Sequence, residues 1–448
     1  MLKARRSRSA PAQRTTVLWR HRDFMLLWTG QSISEVGSAI TVVVLPLTAV
    51  VVLKASTFEV GLLSAAATVP FLLIALPAGL VVDRLAKRWL MLGCDVARMV
   101  LIGSVPVAAV LGVLTLGQLY AVALLTGVGT VFFDVAYQSY VPSLVGRAQL
   151  LDANGKLAST QSFAQVAGPG LGGALFGLLR AGAMTADALS YAVSTGSLLL
   201  IRTSERVPGR GPAGEPDASP VSEPPVRPAR AALRTELLAG AVFVVRHPVL
   251  RKIAACTATA NLFVAMAVAI EIIFLVRVLH VPPAGTGLLL AAGGVGGVAG
   301  GLASGHLGRW IGSARIIPVS LLVFGATGLL MPLAEPGWRL ALFPVGFAGA
   351  SFAGVTYNIA QLSYRQTVCP PELYGRVNAA IRWVVWGTLP LGGLLGGVLG
   401  TVAGVRATIW IGCAGAWAAG WWVFFSPLRS MRDLPAPTEA PSDGHRAA

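Results

Sequence analysis

Three acidic residues lie deep inside long apolar segments of the sequence: Glu35, Asp134 and Glu271. A charge in such a segment is costly, so a carboxylate there usually binds a proton, a cation or a polar neighbour. Glu35 lies ~11 residues into the first apolar segment, which places it ~17 Å along a helix and close to the middle of a bilayer. We expect Glu35 to bind a proton or a cationic ligand. A structural hydrogen bond to a neighbouring helix is the equal alternative.

Asp134 and Glu271 have less central positions in their segments. Asp134 lies in the inner part of the fourth segment, with Gln138 one helical turn later. These two side chains are candidates for lining a gate or a cavity, although this role is not the favoured one. Glu271 lies in the outer third of the seventh segment, where it would line an outer vestibule or simply reach water. Both acids are further candidates for proton or ligand coupling.

Other charged residues in the apolar segments have simpler structural interpretations. Asp95 and Arg98 are three residues apart and can pair on one helix face. Structural pairing is the favoured interpretation, and a gate network with Asp83 is the alternative. Asp187 is expected to cap its helix. Arg382 is expected to extend its side chain towards the nearer surface, or to meet an acid such as Asp83.

Several uncharged polar residues also fall within apolar segments. Their side chains could line a cavity, but polar residues in such segments more often join neighbouring helices by hydrogen bonds. The cavity candidates are Gln138, Asn261, Tyr357, Asn358 and Gln361.

The elements that must position these side chains are membrane-spanning helices. The chain has 448 residues, of which 55% are hydrophobic and 12% are charged. A soluble domain with so few charges could not cover its own surface. A helix of about 20 apolar residues crosses a bilayer with its backbone hydrogen bonds satisfied. We predict an all-α integral membrane protein with twelve spans, near residues 25–53, 58–82, 89–114, 117–140, 157–179, 184–202, 252–278, 284–308, 314–334, 338–363, 377–401 and 405–426.

The charge distribution favours one orientation and argues against several function classes. The net charge is +16, but 29 of the 35 Lys and Arg residues fall in loops and tails on the side that holds both termini. We therefore expect both termini in the cytoplasm, and no nucleic-acid partner. The chain has no phosphate-binding G-x-x-x-x-G-K-[ST] loop, and its four cysteines are isolated. No nucleotide, cofactor, metal site or enzyme activity is expected.

Composition divides the chain into five regions. Thr203 to Arg230 is rich in proline and charge and lacks apolar periodicity, and Ala231 to Arg246 has an amphipathic pattern. The predicted order is a basic tail, a six-helix bundle, a disordered linker with a surface helix, a second six-helix bundle and a disordered tail: 1–23, 24–202, 203–247, 248–427 and 428–448.

The two bundles carry a sequence repeat. The segment that begins at Gly79 has a counterpart that begins at Gly301, and Asn154 corresponds to Asn378. Pro169 with its following glycines corresponds to Pro390. The members of these three pairs are separated by nearly equal lengths of chain. The sequence therefore predicts two homologous halves, as in many secondary transporters.

The loop after the second span carries a family resemblance. Its pattern Gly-x-x-x-Asp-Arg-x-x-Lys-Arg resembles the inter-span motif of the major facilitator superfamily, with Ala86 where a glycine is usual. In that family the aspartate contacts helix eleven and helps to close the cytoplasmic side, which the positive end of a helix dipole would favour. The resemblance, together with the charged residues nearby, implies a cytoplasmic gate formed by Gly79, Asp83, Arg84, Lys87, Arg88, Asp95, Arg98 and Arg382. Topology anchoring by the basic residues is the simpler role.

The fifth span resembles the antiporter motif of exporters in the same superfamily. The residues that carry this resemblance are Gly155, Ala164, Gly168, Pro169, Gly172 and Gly173. Glycines allow close helix approach and the proline frees a backbone carbonyl. Ordinary helix packing is the alternative. Segments around Arg22, Val141 and Asp187 resemble the enterobactin-exporter and macrolide-efflux branch. The arginine expected in span four of many proton-driven exporters is absent.

The resemblance implies two six-helix bundles that rock around a central site. It implies a monomer in the cytoplasmic membrane that exports a small, moderately apolar molecule, such as a drug, antibiotic or siderophore, in exchange for protons. The partners would be this molecule, protons and the bilayer. The alternatives are a proton-coupled uptake symporter on the same fold and a non-transporting membrane sensor or scaffold.

Overall fold

Helices make up nearly all of the regular structure in the computed structural model, which describes residue 18 and residues 21–82, 84–145, 149–202 and 241–433. The helices are α1 (Arg22–Leu47), α2 (Thr57–Val82), α3 (Lys87–Val110), α4 (Leu116–Val145), α5 (Leu150–Leu179), α6 (Met184–Leu200), α7 (Leu250–Ile273), α8 (Pro283–Ile311), α9 (Ile316–Leu333), α10 (Leu342–Val368), α11 (Pro371–Val402) and α12 (Val405–Phe424). Within these ranges the chain forms no strand. This confirms the all-α membrane fold.

Eleven helical segments of the described chain are long and apolar enough to cross a bilayer. One of these segments contains two spans. Leu150–Leu200 is interrupted by a 3₁₀ turn at Arg180–Ala183. α5 runs parallel to α1, since Trp28 Nε1 donates to Thr160 Oγ1 at 3.2 Å near the start of both helices. α6 runs antiparallel to α1: Gly30 lies against Ser197 and Gly37 against Ser190. The chain therefore reverses at the turn, and twelve spans result.

The pseudo-symmetry predicted from the repeat is visible in the helix packing. In the first half α1 packs against α5 and α6, and in the second half α7 packs against α11 and α12. Gly172 of α5 faces α1, and Gly392 of α11 faces α7 in the same way. The next residues face the opposite half: Gly173 faces α8 and Gly393 faces α2.

The two halves touch closely at one side of the molecule. We call the side on which α1 begins the terminal side, and the opposite side the far side. On the far side a Cβ added to Gly61 would lie 2.5 Å from the Cα of Gly397, and one added to Gly173 would lie 2.7 Å from the Cα of Gly287. One buried apolar cluster there includes residues of both halves, among them Val44 and Phe274. The far side is therefore closed.

The halves are separated on the terminal side. There the buried apolar residues form two clusters, one within each half. A Cβ added near the terminal-side ends of the interface helices would meet open space within the described residues, at Gly79, Gly155, Gly308 and Gly375. The molecule is therefore open towards the terminal side.

Some predicted regions lie outside the described residues. These are the basic tail before Leu18, Asp83, most of the 203–247 region and the end of the tail after Asp433. Residues 241–246 are helical. After α12 the chain returns to the α8–α9 loop, where Ser313 N donates to Asp433 Oδ1 at 3.1 Å and Ala314 N donates to the Arg432 carbonyl at 3.1 Å.

Candidate functional site

Two acids of the first half and one arginine of the second half lie at similar depth from the terminal side. From the helix ends, Glu35 is ~20 Å along α1, Asp134 is ~16 Å along α4 and Arg382 is ~16 Å along α11. Glu35 and Asp134 are half-buried and Arg382 is exposed. Asp134 lies within electrostatic reach of Arg98 and Glu35 in its own half and, more weakly, of Arg382 in the other half. The structure thus brings opposite charges of the two halves to one level near the middle of the bilayer.

Glu35 makes its hydrogen bond within its own helix. Gln31 Nε2, one turn earlier on α1, donates to Glu35 Oε1 at 2.9 Å. The alternative expectation, a bond from Glu35 to a neighbouring helix, is therefore wrong for the described residues. Tyr137 of α4 also lies near Glu35 and Asp134, and its buried hydroxyl has no hydrogen-bond partner in the described chain.

An aromatic pair lies beside Arg382. The Arg382 guanidinium lies 4.5 Å from the centre of the Trp386 ring, one turn later on α11. Trp386 in turn meets Phe71 of α2 edge to face, with ring centres 5.2 Å apart. This contact joins the two halves and extends the α2–α11 interface beyond its glycine contacts. Arg382 therefore faces the central level instead of extending to the terminal surface.

Asp95 and Arg98 form the ion pair predicted from their spacing. Arg98 Nη2 and Asp95 Oδ1 are 2.5 Å apart, and both side chains are buried. The second Asp95 oxygen accepts from Ser194 of α6 at 2.6 Å. The guanidinium lies between the rings of Phe133 and Tyr191, at 4.4 and 4.5 Å from their centres. These contacts all lie within the first half, so the pair joins α3, α4 and α6.

Asp187 joins helices instead of capping one. Its carboxylate accepts from Thr41 Oγ1 at 2.5 Å and from Ser190 Oγ at 3.1 Å. One turn along, Tyr191 and Ser38 share a hydrogen bond of 2.9 Å. The capping expectation is therefore wrong: a side chain at this depth is buried against α1, where it must find polar partners.

Glu271 is buried and lacks a partner for one oxygen. Its side chain lies near Cys413 of α12, and the residue is 5% exposed. Its Oε1 atom has no hydrogen-bond partner among the described residues. The expectation that Glu271 reaches water is therefore wrong, because the outer third of α7 is enclosed by the closed far side.

The uncharged polar candidates separate into two groups. Tyr357 is buried, and its hydroxyl shares a 2.8 Å hydrogen bond with Thr257 of α7. Gln361 is buried as well, and its Nε2 donates to Asn358 Oδ1 at 3.1 Å. Tyr357 therefore joins helices, which is the more common role of such residues. Gln138 and Asn358 are exposed and Asn261 is half-buried.

A cavity of about 1200 Å³ lies on a different face of α1. It is bounded by α1, α5 and α6, and Ile33, Val36 and Ile40 are among the residues that line it. On a helix these residues point away from Gln31 and Glu35. Gly155 of the span-five pattern lines this cavity, whereas Glu35, Asp134 and Arg382 do not.

Comparison with known proteins identifies the family. Residues 15–443 match the family described as transmembrane secretion effector, of the major facilitator superfamily. The chain belongs to this family of transporters. It is a multi-pass protein of the cell membrane and not an enzyme, so the sensor or scaffold alternative is set aside.

Two relatives of this transporter are efflux proteins. It is 27% identical over 385 residues to the multidrug efflux pump Tap of Mycolicibacterium fortuitum, which covers 83% of this chain and 88% of that protein. It is also 27% identical over 183 residues to macrolide efflux protein A of Streptococcus pyogenes, which covers 40% of this chain and 44% of that protein.

Solved transporters share the fold at low sequence identity. A bacterial homologue of the iron transporter ferroportin superposes with a TM-score of 0.68 at 16% identity, over 92% of this chain and 99% of that one. A bacterial homologue of the lysosomal transporter Spinster superposes with a TM-score of 0.68 at 14% identity, over 91% and 97%. These similarities establish the major facilitator fold.

The inter-span motif of this transporter is partly visible. Arg88 donates to the carbonyls of Leu198 and Leu199 at 2.8 and 2.9 Å, at the end of α6. A cation there satisfies free carbonyls and the negative end of the helix dipole. Arg84 is exposed, Lys87 begins α3 and Gly79 lies near the end of α2. Asp83 lies outside the described residues, so the gate stays a prediction.

The span-five motif of the transporter forms two helix contacts. A Cβ on Gly168 would clash with Ala39 of α1, and one on Gly172 would lie 3.0 Å from the Ile40 carbonyl. Ala164 is buried as well, and Pro169 lies inside a continuous helix. Gly173 contacts α8 of the other half. Gly168, Gly172 and Gly173 therefore make close helix contacts, whereas Gly155 meets open space within the described residues.

Sequence reasoning missed the residues that complete the buried network in the first half. These are Ser38, Thr41, Ser190, Tyr191 and Ser194. Serine and threonine are common in spans, so their types alone carried no signal. The spacing of Arg382 and Trp386, one turn apart, could have indicated their contact.

Proposed function

We propose that this transporter exports a small, moderately apolar molecule, such as a drug, antibiotic or siderophore, in exchange for protons. The observation that carries the proposal is a pair of acids near the middle of the spans. Glu35 and Asp134 lie in the first half, at the same depth as Arg382 of the second half. The efflux function of the two relatives supports the direction of transport. The few charges along the spans suit a mostly apolar substrate.

The pair of acids would couple the proton to the conformational change. We infer that the terminal side is cytoplasmic, in keeping with its many Lys and Arg residues. Substrate and proton would compete for Glu35 and Asp134 as the halves rock. When Asp134 is ionised, it attracts Arg382 of the opposite half, and protonation removes this attraction. Protonation would thereby change the relative populations of the state open to the terminal side and the state open to the far side.

The test uses inside-out membrane vesicles with an acidic interior and labelled erythromycin as the probe. Proton antiport predicts accumulation of the probe, which collapses when the pH gradient is dissipated. Glu35→Gln and Asp134→Asn should each reduce gradient-driven accumulation by about tenfold or more. Glu335→Gln is the matched control, because Glu335 is a half-exposed acid that pairs with Arg339 in a far-side loop.

Other outcomes of this experiment reject specific parts of the proposal. Probe movement out of the same vesicles together with protons would establish the uptake symporter instead. Gradient-driven accumulation that survives both substitutions but is lost in Glu271→Gln would place the coupling acid in the second half. Transport that is indifferent to the gradient in all variants would exclude proton coupling.

A further inference from the structure

The far ends of α1 and α7 are built in the same irregular way. α1 widens into a π-helix at Thr48–Val52, and α7 does so at Phe274–Val278. Each ends on a non-glycine residue in the left-handed region, Lys54 with φ 53° and His280 with φ 54°. The two turns are separated by nearly the same length of chain as the repeated sequence motifs, so they are equivalent positions of the repeat. Both halves thus hold the same turn, in a conformation that disfavours side chains.

Equivalent backbone hydrogen bonds close the two turns. Ala55 N donates to the Ala49 carbonyl at 2.8 Å, and Val281 N donates to the Leu275 carbonyl at 2.9 Å. At the end of a helix other carbonyl oxygens have no donor within the helix. In the first half, one carbonyl at the helix end and one in the turn accept from the second half: Arg277 Nη2 donates to the Val50 carbonyl at 3.2 Å and to the Ala55 carbonyl at 2.6 Å.

This contact breaks the symmetry of the two halves. When Lys54 is aligned with His280, the position equivalent to Arg277 in the first half is Val51. The guanidinium is therefore present in one half and reaches across to the other. Among the far-side residues that the structure describes, its two bonds are the side-chain hydrogen bonds that join the halves. The other far-side contacts between the halves, such as those at Gly61 and Gly173 and in the shared apolar cluster, are van der Waals contacts.

We propose that Arg277 is a latch that holds the far side closed. Opening the far side must separate α1 from α7, and Arg277 then exchanges both carbonyl acceptors for water. A charged donor makes stronger hydrogen bonds than a neutral one. Losing these two bonds therefore costs free energy, and this cost stabilises the closed far side. Arg277 is exposed at its own surface, so water can replace the contact without passing through the core. The inference rests on alternating access and is independent of substrate, transport direction and proton coupling.

The test measures the opening of both sides with spin labels and needs no substrate. Far-side labels are placed at Val113→Cys and Trp338→Cys, in loops of opposite halves where the native side chains are exposed. Terminal-side labels are placed at Leu151→Cys and Trp310→Cys, at exposed positions on α5 and α8. Arg277→Gln should lengthen the far-side distance and shorten the terminal-side distance. The ratio of the two states should change by about tenfold, as expected for one charge-assisted hydrogen bond in a hydrated site.

Two further variants make the outcome decisive. Arg339→Gln removes another far-side arginine whose bond, 2.8 Å to Glu335, stays within its own half. It should leave both distance distributions unchanged. Arg277→Lys keeps the charge but not the forked donor and should give an intermediate shift. Unchanged distances in Arg277→Gln, or lengthening on both sides, would overturn the latch. If Arg277→Gln does not fold, unchanged distances in Arg277→Lys would overturn it.

Discussion

The buried carboxylates of the two halves differ in their hydrogen-bond partners. In the first half, the Asp95 and Asp187 carboxylates accept through both oxygens, and Arg98 Nη2 donates to Asp95, while Arg98 Nε has no partner in the described chain. In the second half, the buried Glu271 lacks a partner for one oxygen in the described chain. Breaking an ion pair that is enclosed by helices leaves a lone charge in the apolar interior. The first-half network is therefore a structural feature of that bundle.

Replacing Arg98 should destabilise the first half strongly. Arg98→Met keeps an apolar side chain between Phe133 and Tyr191 but leaves Asp95 without its cation. We expect a loss of about 3–5 kcal/mol in unfolding free energy, measured by thermal unfolding in detergent.

The control for Arg98 is the exposed pair on the far side. Arg339→Gln breaks an ion pair whose side chains are about half exposed, and its effect should stay within about 0.5 kcal/mol. Adding Asp95→Asn to Arg98→Met should recover part of the stability. Equal losses in Arg98→Met and Arg339→Gln would contradict a structural role for the buried pair.

At the scale of elements, α5 and α11 each present one glycine to their own half and the next to the other half. This alternation holds the interface helices against both bundles at once. The packing tolerates a side chain at some positions and not at others. On α5, a Cβ at Gly173 would lie 2.7 Å from Gly287, whereas one at Gly177 would lie 3.8 Å from Ala284. Replacement by alanine should therefore be damaging at Gly173 and neutral at Gly177, about one turn later.

Gly173→Ala should impair closure of the far side. The added methyl overpacks the α5–α8 contact at a cost of about 1–3 kcal/mol to the closed far side. We expect longer far-side distances between spin labels at Val113→Cys and Trp338→Cys, and slower transport in vesicles. Gly177→Ala, with ordinary contact distances, should match the unmodified protein. Equal behaviour of both variants would show that the contact does not control closure.

At the scale of the whole molecule, the described structure is closed on the far side and open on the terminal side. The apolar clusters explain this state, because one cluster joins both halves on the far side and two separate clusters lie on the terminal side. Water can therefore reach exposed polar residues near the central level, such as Gln138, from one side.

A membrane-impermeant thiol reagent should distinguish the two sides. Gln138→Cys should react in inside-out vesicles and be protected in right-side-out vesicles, if the terminal side is cytoplasmic. Val113→Cys, in an exposed far-side loop, should show the opposite pattern. Three of the four native cysteines are buried, so the unmodified protein provides the background. Labelling of Gln138→Cys from the right-side-out face would contradict the proposed orientation.

The sequence alone determined the spans, the repeat and the family. Apolar runs of this length have one stable form in a bilayer, and the inter-span and span-five patterns are local in sequence. Local spacing also predicted the Asp95–Arg98 pair and the close approach of the span-five glycines. Each of these features depends on residues that are neighbours along the chain or on one helix.

Only the tertiary structure decided which side chains meet across helices. Thr41 as the partner of Asp187, the burial of Glu271 and the reach of Arg277 to the Ala55 carbonyl all join residues far apart in sequence. The open side was decided in the same way, since it depends on how two similar bundles are tilted against each other. A helix can carry the same residues in either state, and the packing between the halves selects which of them are enclosed.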